Sequence, residues 1–121
     1  MHPVFIARRV AGIIERSAID VTTEFAAQRG IREALERDGI EVAAEVQLTP
    51  RDRIDLLAGP VGIEVKIRGG GRRKILRQLE RYAESDQIEA LVLASGGGWP
   101  RAIDEAGGKR LFFASLTLGW L

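Results

Sequence analysis

One stretch limits the possible folds of this chain more than any other: Ile54 to Ile67, which reads IDLLAGPVGIEVKI. Val61, Ile63, Val65 and Ile67 take alternate positions. Successive side chains of a strand point to opposite faces, so Glu64 and Lys66 fall together on the other face. Gly59-Pro60 suits a type II′ turn, which needs a positive φ first and a proline-like φ second. A hairpin centred there sets Ala58 against Val61, Leu57 against Gly62, Leu56 against Ile63 and Asp55 against Glu64. The two carboxylates become cross-strand neighbours, with Cβ atoms roughly 5 Å apart.

Facing carboxylates repel, by a few tenths to about 1 kcal/mol. On a wet surface a chain tolerates this. A divalent cation instead turns the repulsion into a ligand set, and Mg²⁺ favours one or two carboxylates with water and substrate phosphate around it. Lys66, on the same face, can hold a phosphate or orient a water. Two carboxylates and a lysine around a metal are the equipment for hydrolysing a phosphodiester.

Asp55, eight intervening residues and then Glu64-Val65-Lys66 resemble the active-site signature of the PD-(D/E)XK nuclease superfamily. Gln78-Leu79-Glu80-Arg81-Tyr82 resembles the Q-x-x-x-Y motif of its RecB-like branch. The resemblance covers roughly residues 22 to 95, and it departs from the pattern at Ile54, where proline is usual. It implies a restriction-endonuclease-like core that cleaves DNA with Mg²⁺, or Mn²⁺ as substitute. Asp55 and Glu64 would bind the metal, with the Val65 carbonyl as a further ligand. Lys66 would position the attacking hydroxide or stabilise the transition state, and Gln78 and Tyr82 would orient Lys66 or the scissile strand. The first core helix of the superfamily often lends a carboxylate, for which Glu24 is the candidate. A first-turn Glu favoured by the helix dipole is the competing reading of Glu24.

Charge supports a polyanionic partner. Seven basic residues lie between Lys66 and Arg81 against the single acid Glu80, although the whole chain carries only +1. Such asymmetry marks a polyanion-binding face or a solvated helix face rich in arginine. Arg68, Arg72, Arg73, Lys74, Arg77 and Arg81 are therefore candidates for phosphate contacts, which fix register without reading sequence. Tyr82 is read either as functional or as a core aromatic with a wet hydroxyl.

Residue inventory excludes other chemistries. There is no cysteine, and the only histidine is His2. Disulfides, thiol nucleophiles, cysteine-ligated zinc and a histidine base are set aside accordingly. No apolar run approaches the ~20 residues of a membrane span, and the N-terminus lacks the form of a secretory signal, so a cytoplasmic protein without a membrane partner is expected.

In chain order, Pro3 and the spacing of Ile6, Val10, Ile13 and Ile14 predict a helix to about Arg16, a packing helix or dimer contact in an N-terminal extension of residues 1–21. A second helix is expected from about Thr23 to Asp38, ended by Gly39. Ile40 to Leu48 alternates as a half-buried strand, with Ile40, Val42, Ala44, Val46 and Leu48 on one face and Glu45 on the other. A third helix runs from about Arg72 to Ser85, and the apolar run Ile88 to Ala94 reads as a strand covered on both faces. After residue 95 a short helix from Pro100 to about Ala106 and a last strand, Leu111 to Leu116, are expected. Asp52 reads as a turn residue. The whole is one α/β domain, an α/β/α sandwich with a mixed central sheet. Its expected function is metal-dependent DNA hydrolysis, acting alone, as a homodimer such as a junction resolvase, or in a larger complex. The alternatives are a non-catalytic nucleic-acid-binding or assembly module on the same fold, and a hydrolase of free nucleotides.

Overall fold

Three helices form where the sequence supplies both an apolar stripe and a start signal. In the computed structural model, which describes residues Met1–Leu121, α1 spans Pro3–Arg16 and α2 spans Glu24–Arg37. The His2 ring accepts from the Val4 N–H ahead of Pro3, and the Thr23 hydroxyl accepts from the Ala26 N–H. Each cap satisfies a donor that a helix start leaves unpaired. α3 spans Arg72–Ala83 and starts at Gly71 with no side-chain cap.

Six strands make one mixed sheet: β1 Ala43–Gln47, β2 Arg53–Ala58, β3 Val61–Lys66, β4 Ala90–Ser95, β5 Glu105–Ala106 and β6 Lys109–Ser115, in the spatial order β1-β2-β3-β4-β6-β5. β1, β2 and β3 pair antiparallel, β3 with β4 and β4 with β6 parallel, and β5 with β6 antiparallel. The crossover from β3 through α3 to β4 makes the parallel pair, as expected for a strand–helix–strand unit. α1 and α2 cover one face, burying Ala7, Val10, Ile14, Ala27, Ile31 and Leu35 against Leu56, Val61, Ile63 and Val65. α3 covers the other, burying Ile75, Leu79 and Tyr82 against Ile54, Leu91 and Leu93. The fold is therefore an α/β/α sandwich. β4, between the two layers, is buried at every position. Removing a fully buried Ile or Leu side chain from such a core costs about 2–5 kcal/mol. α1 is a packing helix, seated on the sheet rather than appended to it.

Two expectations need correction. No helix follows Pro100: the chain turns and enters the β5–β6 hairpin, closed by Gly107 and Gly108 at φ 58 and 80. Gly-Gly meets the demand of a type I′ turn for two positive φ values, and this pairs Ala106 with Lys109. Residues 96–121 thus hold the expected last strand, as β6, but in place of the expected helix they form the β5 arm of a hairpin, and they end in a 3₁₀ turn at Leu118–Trp120. The tail leans on the link between α1 and α2, where the Trp120 indole donates to the Ile19 carbonyl.

The second correction concerns β1. It is an exposed edge strand, and its apolar stripe changes sides. Val42 packs with the α1–α2 layer, whereas Val46 and Leu48 pack with the α3 layer. The change falls at Glu45, the only non-glycine residue with positive φ, at 51. β2 does the same one strand over: Leu56 and Ala58 face α1 and α2, and Ile54 faces α3. Strict alternation carried through residues 45 and 55 misplaces the residues beyond them.

Candidate active site

The site forms where that change of sides opens the ladder. Leu56↔Ile63, Leu57↔Gly62 and Ala58↔Val61 pair as the two-residue turn dictates, with Gly59 at φ 58. Continuing this register sets Asp55 opposite Glu64 and Ile54 opposite Val65, but the ladder stops at Leu56. The Val65 N–H donates to the Asp55 carboxylate at 2.8 Å instead. The N–H and C=O of one residue in an extended strand point to the same side. The Val65 carbonyl therefore faces the same opening between β2 and β3.

Glu64 projects toward α3 and is 3% exposed. Its Oε2 lies 3.1 Å from Lys66 Nζ. Its Oε1 lies 3.1 Å from the Tyr82 hydroxyl, which also meets the Arg53 carbonyl at 3.2 Å and accepts from Gln78 Nε2 at 2.9 Å. The Tyr82 hydroxyl is thus a buried junction on a catalytic candidate, not a wet group at the core's edge. The i, i+4 spacing of Gln78 and Tyr82 puts them one turn apart on α3, so the helix itself makes their contact.

Burial sets the electrostatics. It is the largest influence on Glu64, pushing its carboxyl up to about 8. The Asp55 charge adds to this, and Lys66 and Tyr82 oppose it. Burial also raises Asp55 above the usual carboxylate range, against the Val65 N–H, Glu64, Lys66 and Arg53. Tyr82 is held protonated, by burial first and then by Glu64. Two carboxyls that resist being charged together, with one lysine between them and the solvent, make a site short of positive charge. The donor set of Asp55, Glu64 and the Val65 carbonyl is all oxygen, which suits a hard divalent cation.

Other candidates are placed differently. Glu24 is exposed in the first turn of α2, on the face of the sheet away from Glu64. No group of three or more His, Cys, Asp or Glu forms, so neither Glu24 nor Glu45 joins the carboxylate pair. Glu45 instead meets Arg53 at 3.2 Å. Lys66, Arg73, Lys74, Arg77, Gln78 and Arg81 line, with Gly71, a cleft of about 580 Å³ that contains no acid and no hydrophobic residue. Arg72 lines a neighbouring opening with Gly70, Arg73, Leu76 and Gly98. Arg68 is exposed and lines neither.

Two further residues take part: Arg53, which is no candidate in sequence, and Asp52, expected only as a turn residue. Arg53 supplies the carbonyl that Tyr82 meets and a charge near Asp55. Asp52 makes the expected turn, with its N–H donating to the Thr49 hydroxyl, and also accepts from Arg81 Nε at 3.1 Å. The sequence signal was their place immediately before Asp55, but the partner 29 residues away lies on another element. No helix is long and apolar enough to cross a membrane. No family model matches the chain, and neither a curated protein nor a solved structure is significantly similar to it.

Proposed function

We propose that this protein is a metal-dependent nuclease, acting on DNA from the cytoplasm, with a restriction-endonuclease-like core of the PD-(D/E)XK kind. One observation carries the reading: Asp55, Glu64 and Lys66 converge where the β2–β3 ladder opens, beside a cleft lined by basic side chains. Asp55, Glu64 and the Val65 carbonyl would hold Mg²⁺ or Mn²⁺. Such a cation, when bound, supplies Lewis-acid activation of water and charge stabilisation on the phosphate.

The chain's own residues do the rest. The Val65 N–H fixes the Asp55 carboxylate toward the opening. Tyr82, itself held by Gln78, fixes the Glu64 carboxylate. Partners of this kind behind a ligand are typically worth 10–100-fold in metal affinity or activity. Lys66, its Nζ on Glu64 and its side chain at the mouth of the cleft, is placed to meet a phosphate oxygen or the attacking hydroxide. Arg73, Lys74 and Arg77 neutralise the flanking phosphates.

The test is cleavage of supercoiled plasmid, linear duplex, circular single strands and a four-way junction, with Mg²⁺, Mn²⁺ or EDTA. Glu64→Gln and Lys66→Ala are expected to abolish metal-dependent cutting while leaving the circular dichroism spectrum unchanged. Gln resembles the protonated carboxyl that Glu64 keeps below about pH 8, so Glu64→Gln should melt no lower than the wild type at neutral pH. Cutting that survives both substitutions would end the proposal.

A further inference from the structure

α3 is amphipathic in an unusual way. One side is the core stripe Ile75, Leu79 and Tyr82; the opposite side is a row of cations. Arg73, Arg77 and Arg81 stand at i, i+4 and i+8, one above another, with Lys74 beside them. At about 1.5 Å of rise per residue the row spans about 12 Å. Six backbone bonds separate consecutive phosphates of one strand, about 6–7 Å when extended, so this span covers two to three of them. Four cations face two to three phosphates.

The cleft offers bases no aromatic surface. Non-specific single-strand binders combine a charged groove with aromatic platforms on which bases stack. No aromatic or apolar side chain lines this cleft. Its one neutral hydrogen-bonding side chain, Gln78, spends one amide N–H on Tyr82. At the far end of the row Arg81 is not free either, since its Nε binds the Asp52 carboxylate, which is only 16% exposed.

We propose that the cleft is a track for one phosphodiester strand, held by charge along two to three consecutive phosphates and blind to base identity, with Asp52 holding the Arg81 position until a phosphate replaces it. This deepens the nuclease reading and rests on it for what happens to the strand, but binding is measured apart from cleavage.

The experiment is fluorescence anisotropy of the full chain in EDTA with labelled strands of equal length: oligo-dT, oligo-dA and a fully abasic deoxyribose-phosphate strand. The three should bind within about twofold of one another. Three neutralised phosphates on a single strand give a salt slope near −2.1, or about 20-fold weaker binding between 50 and 200 mM salt. In Arg77→Gln that loss should fall to about sevenfold, because one contact has gone. Arg77 makes no hydrogen bond or ion pair in the fold, so the substitution tests the track and not the fold. Asp52→Asn should bind two- to fivefold tighter. A tenfold loss on the abasic strand overturns base blindness. An unchanged salt slope in Arg77→Gln overturns the track, and no gain in Asp52→Asn overturns the part given to Asp52. Retained binding with no metal-dependent cutting would instead end the nuclease reading and leave the track standing.

Discussion

Replacing Tyr82 by Phe isolates one hydroxyl at the centre of the site. The ring stays, so no cavity opens and the α3 stripe keeps its packing. Three contacts go: Glu64 at 3.1 Å, the Arg53 carbonyl at 3.2 Å and the Gln78 amide at 2.9 Å. Gln78 and Arg53 lie near solvent and can be rehydrated; Glu64, 3% exposed, cannot. Glu64 keeps its proton below about pH 8, so these contacts count at neutral pH as neutral hydrogen bonds of about 1 kcal/mol each. The hydroxyl's own desolvation is relieved, so the net loss is about 1–2 kcal/mol. At about 2.1 cal/mol/K per residue over 121 residues, melting should drop by about 4–8 °C. The chemical consequence is larger. Tyr82 favours the ionised form of Glu64, and without it the carboxyl, already near 8, rises further. At about 1.4 kcal/mol per pH unit, the acid limb of the cleavage profile should move about one pH unit toward alkaline. Loss of positioning adds a 10–100-fold fall in rate at the optimum. The assay is plasmid nicking from pH 6 to 10 in Mg²⁺, beside thermal melts. A Tyr82→Phe protein that cuts within twofold of wild type, with the acid limb unmoved, would refute the claim that this hydroxyl sets the state of Glu64.

Stability and cation binding should be linked through the same carboxyls. Because the folded Glu64 carboxyl sits near 8 against an ordinary 4.5, the folded state keeps a proton that the unfolded state releases between those values. Stability in EDTA therefore falls as pH rises through that window, by up to about 1.4 kcal/mol per pH unit, and levels off above it. Asp55, also raised, contributes with the same sign from its own lower range. Mg²⁺ competes with the retained proton, so it should raise the melting temperature at pH 8 far more than at pH 5.5; equal stabilisation at both would count against the pair as its site. At the loop beside Lys66, a Cβ on Gly96 would fall on the Ile67 carbonyl oxygen, and the Gly96 N–H already donates to the Lys66 carbonyl at 3.1 Å. Gly96→Ala should displace Lys66 and cut cleavage by tenfold or more. Gly98→Ala, which meets nothing within 4 Å, should cut normally, and parity between the two variants would show that the loop does not position Lys66.

What the sequence made legible were the local periods. The hairpin register, α3 with Gln78 and Tyr82 one turn apart, and the buried β4 all follow from spacing within a dozen residues. What it did not make legible depends on contacts between distant elements. Glu45 takes a left-handed backbone that its residue type disfavours, so no propensity announces that β1 and β2 change sides there. Glu24 is a ligand candidate only through the family resemblance; its place, exposed in the first turn of α2 on the far face of the sheet, fits the competing helix-dipole reading. The helix expected from Pro100 to about Ala106 rests on proline's fitness for a first helical turn, which is local and blind to the hairpin that Gly107-Gly108 closes.

The Gly59-Pro60 turn bears on how such a chain can change length. One residue inserted there would slide β2 by one position and present Asp55 to α1 and α2 instead of the opening beside Glu64. The exposed bend at residues 100–104 has no such effect, because β5 and β6 are registered by their own Gly-Gly turn. A change of length is therefore tolerable at that bend and forbidden between the carboxylates, which makes the β2–β3 hairpin a fixed-length cassette.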